Sequence, residues 1–167
     1  MKLRLVTLLV SVLTISTVVP SHAWDVESSE DDFGSTVVFA KTYFMQDVGN
    51  TDSFDEAYEN GDYESLIIRC QDKKLEAYMT TLNNEFDNSS SAMVRFGGGS
   101  AKKWSVGRST SKTGLFFNNS KTFVTSLLKV KKFYVRASGS TGYLTANFDV
   151  GGLSSQRSIF KSAGCKF

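Results

Sequence analysis

One histidine, one proline and two cysteines are all that 167 residues contain of those types. The histidine, His22, and the proline, Pro20, both fall within the first 23 positions, which read as a leader to be removed. A chain left without histidine runs neither a Ser/His/Asp nor a Cys/His mechanism, and it cannot build the usual histidine-containing zinc site. Past the leader no apolar run is long enough to span a bilayer, and no C-x-x-C pair marks a redox centre. Internal repeats are absent too. The stretch GGGSAKK, Gly97 to Lys103, lacks the Walker spacing of a phosphate cradle and reads as a hairpin loop.

The leader has the anatomy of a secretory signal. Lys2 and Arg4 form a basic start, Leu5 to Val19 is an uncharged apolar run of 15 residues, Pro20 breaks it, and Ser21-His22-Ala23 ends in small residues. That run is shorter than the roughly 20 residues needed to cross a bilayer as a helix. Cleavage is expected after Ala23, releasing a periplasmic or secreted protein with no transmembrane segment. It also removes Lys2 and Arg4, so the formal charge falls from +2 to zero, with 17 basic groups facing 17 acidic ones. The residues that remain suffice for one domain around a single core.

Charge is sorted along this mature chain. Residues 24–64 hold twelve Asp or Glu against Lys41 alone, whereas residues 65–167 hold sixteen Lys or Arg against five acids. An acidic N-terminal segment, 24–64, packed on a basic body, 65–167, is the expected organisation. The alternative is that the basic body faces an anionic partner such as a membrane surface, a glycan or nucleic acid. Export and the lack of any binding motif argue against nucleic acid.

Most of the body reads as strands. Ser35 to Met45, Leu66 to Cys70, Leu75 to Thr80, Ala92 to Phe96, the KWSV stretch at Trp104, the GLFF stretch at Leu115, Lys132 to Ala137 and Tyr143 to Val150 are rich in β-branched and aromatic residues. Gly, Ser and Asn bound them, Gln71 to Lys74 reads as a turn, and Ser138 to Gly142 reads as a hairpin loop. The acidic patch Glu27 to Asp32 and the polar patch Asn83 to Ser91 read as loops. Two segments look helical. NSKTFVTSLLKV offers Asn119 or Ser120 as N-cap and puts Phe123, Leu127 and Val130 on one stripe; LSSQRSIFKSAG has a serine cap and Gly164 as its stop. The fold class expected is a mainly β, antiparallel sandwich-like domain with one or two short helices.

The two cysteines fit that scaffold. Strand alternation puts Leu66, Ile68 and Cys70 on one face and Ile67 with Arg69 on the other, which points the thiol inward. In an oxidising compartment two cysteines, one in a strand and one past the last helix, most simply form a disulfide, Cys70 to Cys165. Two free thiols or an intermolecular bridge are the alternatives. Closing a loop of that length contributes on the order of 4 to 5 kcal/mol in the chain-entropy account.

Trp24, then an acid-rich segment, LIIRC, LEAYM, VRF, KW-S, LFF, a short helix with LL, FYVR, ANFD, GL and a late cysteine follow one another along the mature chain. In that order the chain resembles the VasI/TagO family of exported proteins associated with bacterial type VI secretion clusters. Arg69-Cys70, Arg95-Phe96, Trp104, Phe148-Asp149, Gly152-Leu153 and Cys165 carry most of the similarity. It implies a periplasmic β-rich domain with an internal disulfide and an accessory, non-enzymatic role. Gly97 stands where the family tends to place an acid, and the ending Cys-Lys-Phe replaces the typical Cys-Gly-Trp.

No catalytic, metal or cofactor residues are assigned. The densest carboxylates, Asp52 to Glu64, have no clear period and read as a solvated loop, although a carboxylate-based hydrolase is kept as an alternative and weak calcium binding stays open. Trp104 reads as core or sheet edge, with ligand contact as the alternative. Arg69 and Arg95, opposite the aliphatic faces of their strands, read as solvated or ion-paired, or as a docking patch. Arg69, Arg95 and Trp104 are therefore the candidate interaction surface. A protein partner in the bacterial envelope is expected, either in a secretion apparatus or as an incoming protein bound by a stand-alone protector of the immunity or phage-exclusion type.

Overall fold

The computed structural model describes residues 24–30, 32, 35–44, 64–81 and 84–167. Among these, nine strands pair in one antiparallel sheet: β1 (Asp25–Glu30), β2 (Thr36–Phe44), β3 (Glu64–Gln71), β4 (Lys74–Thr80), β5 (Ser91–Phe96), β6 (Lys102–Arg108), β7 (Gly114–Phe117), β8 (Lys132–Gly139) and β9 (Gly142–Asp149). Their order across the sheet is β1-β2-β3-β4-β7-β6-β5-β8-β9. Two short helices, α1 (Ser120–Leu127) and α2 (Arg157–Ser162), and a 3₁₀ turn at Leu153–Gln156 complete the fold. The class is mainly β and sandwich-like, as the strand pattern predicts.

The sheet becomes two layers because one strand serves both. Lys102 to Ser105 of β6 pair with β5, while Val106 to Arg108 pair with β7. A strand that changes partners midway turns the corner between layers. The far ends then meet, and the buried Thr42 hydroxyl of β2 donates to the Asp149 carbonyl of β9 at 2.9 Å. The alternation in β9 shows the consequence: Leu144, Ala146 and Phe148 are buried while Tyr143, Thr145, Asn147 and Asp149 are exposed. In β3 even Ile67, on the outward side, is buried.

Helix α1 plugs the core with Phe123, Val124 and Leu127. The Phe123 ring stacks on Phe117 at 4.1 Å between centroids and meets Phe133 edge-on at 5.2 Å. Such pairs each contribute about 0.5 to 1.5 kcal/mol beyond the area they bury.

The cap expectations need correction. Asn119 does occupy the N-cap of α1, but with φ 55° it is left-handed and its side chain makes no cap bond; Ser120 instead donates its hydroxyl to the Phe117 carbonyl. Gln156, not a serine, precedes α2, again without a side-chain cap. Gly164 does end that helix, at φ +86°. Its N–H donates to the Lys161 carbonyl and the Cys165 N–H donates to Phe160, the paired bonds of a Schellman stop. This turn delivers Cys165 to Cys70, with their Cα atoms 6.0 Å apart and the disulfide formed.

The acidic patch read as a loop also needs correction, since Glu27 to Glu30 lie in β1, paired along β2. In the polar patch, Ser91 opens β5 and Phe86, fully buried, bridges to Gly139. Of the segment 24–64, residues 25–30 and 36–44 are therefore strands of the sheet itself, while residues 45–63, with Met45 and most of the acidic cluster, lie outside the described residues. The signal segment, with the expected cleavage after Ala23, lies outside them as well.

Candidate interaction surface

The three candidate residues are placed on three different parts of the sheet. Trp104 faces the core side of β6: its ring lies edge-on to Phe96 and Phe123, and its indole N–H donates to the Asn118 carbonyl at 2.8 Å. Lys102 lies across that aromatic group, 5.1 Å from the Trp104 ring. Here tryptophan closes one end of the core.

Arg69 lies on the outer face of β3, directly opposite Glu76 of β4. Its Nε donates to the Glu76 carboxylate at 2.9 Å, a second guanidinium nitrogen bonds the same oxygen, and Lys74 adds a contact of 2.9 Å. Burial pushes the Glu76 carboxyl up, but the hydrogen bonds and charges of Arg69 and Lys74 together outweigh it and hold the group below its ordinary value. Beside them Tyr78 stacks on Phe116 at 4.9 Å, and burial raises its phenol despite the opposing Arg69 charge. Arg69 is thus engaged within the chain.

Arg95 is different. On the outer face of β5 it stands opposite Tyr134 of β8, its guanidinium 4.0 Å from that ring's centroid. One step along, Arg136 of β8 lies 5.4 Å from the ring of Tyr143 on β9, and Tyr143 is 76% exposed. Lys103 of β6 and Arg136 flank Met93 in the same row of the sheet. Among the described residues none of Lys103, Arg95 and Arg136 has a carboxylate partner, whereas Lys132 on this face is held by Asp149 at 3.4 Å. The outer face of β5, β8 and β9 therefore presents arginines resting on tyrosine rings, among Thr145 and Asn147. Such contacts hold a guanidinium in place while leaving its N–H edge free to donate.

The sequence pattern does not single out Arg136, Tyr134 and Tyr143 as a group. Alternation in KFYVRA already turns Tyr134 and Arg136 outward; what it cannot show is that β8 lies beside β5.

No group of three or more Asp, Glu, His or Cys side chains able to hold a metal occurs among the described residues. A cleft beside the disulfide, lined by Ser35, Thr36, Asp72, Lys73, Ser162 and Gly164, has one carboxylate, Asp72, among its described residues. Of the acidic run Asp52 to Glu64, Glu64 alone is described, and burial raises its carboxyl pKa. No helix among the described residues is long and apolar enough to cross a membrane.

No protein-family model and no curated protein sequence matches the chain. Among solved structures it is similar to the crystal structure of invasion associated protein B from Bartonella henselae, with a TM-score of 0.56 over 84% of this chain and 91% of that one. What the two share is the fold. At 10% identity the likeness extends no further.

Proposed function

We propose that this chain is an exported, non-enzymatic protein of the bacterial envelope that works by binding another protein through the outer face of β5, β8 and β9. The observation carrying the reading is the pairing of exposed arginines with tyrosines there, Arg95 on Tyr134 and Arg136 on Tyr143. Arginine and tyrosine are the residue types on which protein interfaces concentrate their binding energy. A disulfide suits an oxidising compartment such as the periplasm, in agreement with the leader that precedes Trp24. The neighbour of similar fold is named for its association with invasion, which fits an envelope or virulence-associated role.

The resemblance to the VasI/TagO family narrows this to an accessory of a secretion apparatus of the type VI kind. A photo-crosslinking residue placed at Tyr143 in the native host tests the reading. Adducts with an envelope or secretion component are expected; adducts with an incoming toxin or phage protein would favour the stand-alone protector. A folded, exported protein that yields no adduct under any condition overturns the proposal.

A further inference from the structure

The exposed face also constrains what its partner offers. Register places Met93 opposite Arg136 and Arg95 opposite Tyr134, so Arg95 and Arg136 are diagonal neighbours on adjacent antiparallel strands. Diagonal pairs stand about 7 to 8 Å apart. Lys103 lies two strands from Arg136, about 10 Å at ordinary strand spacing. In an extended peptide, side chains at alternate positions point the same way and recur about every 6.7 Å. Carboxylates at alternate positions of such a peptide match the diagonal step, and each can take two N–H donors from one guanidinium.

The surrounding chemistry favours this occupant over other anions. The face is largely polar, and Met93, Tyr134 and Tyr143 are its main apolar contributions, too few for insertion into a bilayer. Its paired cations are arginines, whose planar fork suits a planar carboxylate and whose weak hydration eases burial at an interface. Asp149 on this face is already bound to Lys132, and the Asp87 carboxylate, hydrogen-bonded to Ser138, lies beyond Arg136 at the far end of β8 from Arg95, so no carboxylate described there stands beside Arg95.

We propose that this face binds an extended acidic segment of a protein partner, with carboxylates at alternate positions seated on Arg95 and Arg136. The inference rests on the reading of the chain as a binding protein and names the chemistry of what is bound.

The test uses the oxidised full chain and a fluorescein-labelled ten-residue peptide of alternating Glu and Ser, read by fluorescence anisotropy at low salt. Wild-type protein is expected to bind it, to ignore the peptide with Gln for Glu, and to lose affinity as salt rises. The double variant Arg95→Gln/Arg136→Gln, whose side chains are exposed, should keep its melting temperature and lose affinity at least about tenfold, equivalent to about 1.4 kcal/mol. Lys121→Gln/Lys166→Gln, which removes two cations near the start of α1, should change affinity less than about twofold. Equal losses in the two double variants overturn the proposal, as does unchanged binding by the arginine variant. Arginine-dependent binding to phosphatidylglycerol vesicles, or arginine-dependent self-association in sedimentation, without peptide binding overturns it as well. If the Tyr143 crosslink persists in the arginine variant, the binding role stands and the acidic segment falls.

Discussion

Gly164 sits so close to Lys73 that a β-carbon on the glycine would come within 2.7 Å of the lysine Cγ. The helix stop and the β3–β4 turn are packed against each other at the point where the disulfide begins. Gly164→Ala meets that clash and also a left-handed backbone at φ +86°. A loss of about 1 to 3 kcal/mol in urea-denaturation stability is expected. Adding Lys73→Gly should restore part of it, because the contacted atoms are gone; a double-mutant cycle with no coupling would show that backbone conformation alone is responsible.

The same turn carries strain of its own. Asp72 and Lys73 both have positive φ, 51° and 61°, as a two-residue turn of the primed type requires. Asn-Gly is the pair best suited to it, so Asp72→Asn/Lys73→Gly should stabilise the protein by about 1 kcal/mol. The gain should appear as a higher denaturation midpoint with an unchanged slope.

The disulfide closes a long loop, since Cys70 and Cys165 are 95 positions apart. Replacing both by alanine is expected to cost about 4 to 5 kcal/mol in the chain-entropy account, with the loss falling on the unfolded state. Mass spectrometry of the exported protein should show no alkylation of either sulfur until a reductant is added. Full alkylation without reductant contradicts the clasp.

Much of this was legible locally. Alternation alone turns Cys70 inward and Arg69 outward, and a two-residue turn between β3 and β4 sets Arg69 opposite Glu76 by counting. Trp104 and Val106 share a face by the same parity, which is why the tryptophan packs inward with the aromatic group rather than standing free. β1 escaped notice because DVESSE carries one apolar side chain and no hydrophobic period. It forms because β2 offers it an edge, and its charges suit an outermost strand that must not pair further. The arginine–tyrosine face escaped for a different reason: it depends on β5 pairing with β8 across the intervening β6, β7 and α1, and such non-local pairing leaves no mark in either strand.

Glu76 links the fold to pH. Its carboxyl lies below its ordinary value in the folded protein, since the bonds and charges of Arg69 and Lys74 prevail over burial. A group with a lowered folded pKa stabilises fully above its unfolded value, about 4.3, and that stability is lost as pH falls through the folded value. Glu76→Gln should therefore cost about 0.2 to 1 kcal/mol at pH 7, the range for a cross-strand ion pair, and progressively less as the solution is acidified. Thermal melts of both proteins from pH 7 to pH 3 should converge at the acid end, with the wild type falling more steeply below about pH 4.5. Parallel curves throughout would mean that the Arg69–Glu76 contact is held by its geometry and packing, with the carboxylate charge adding nothing.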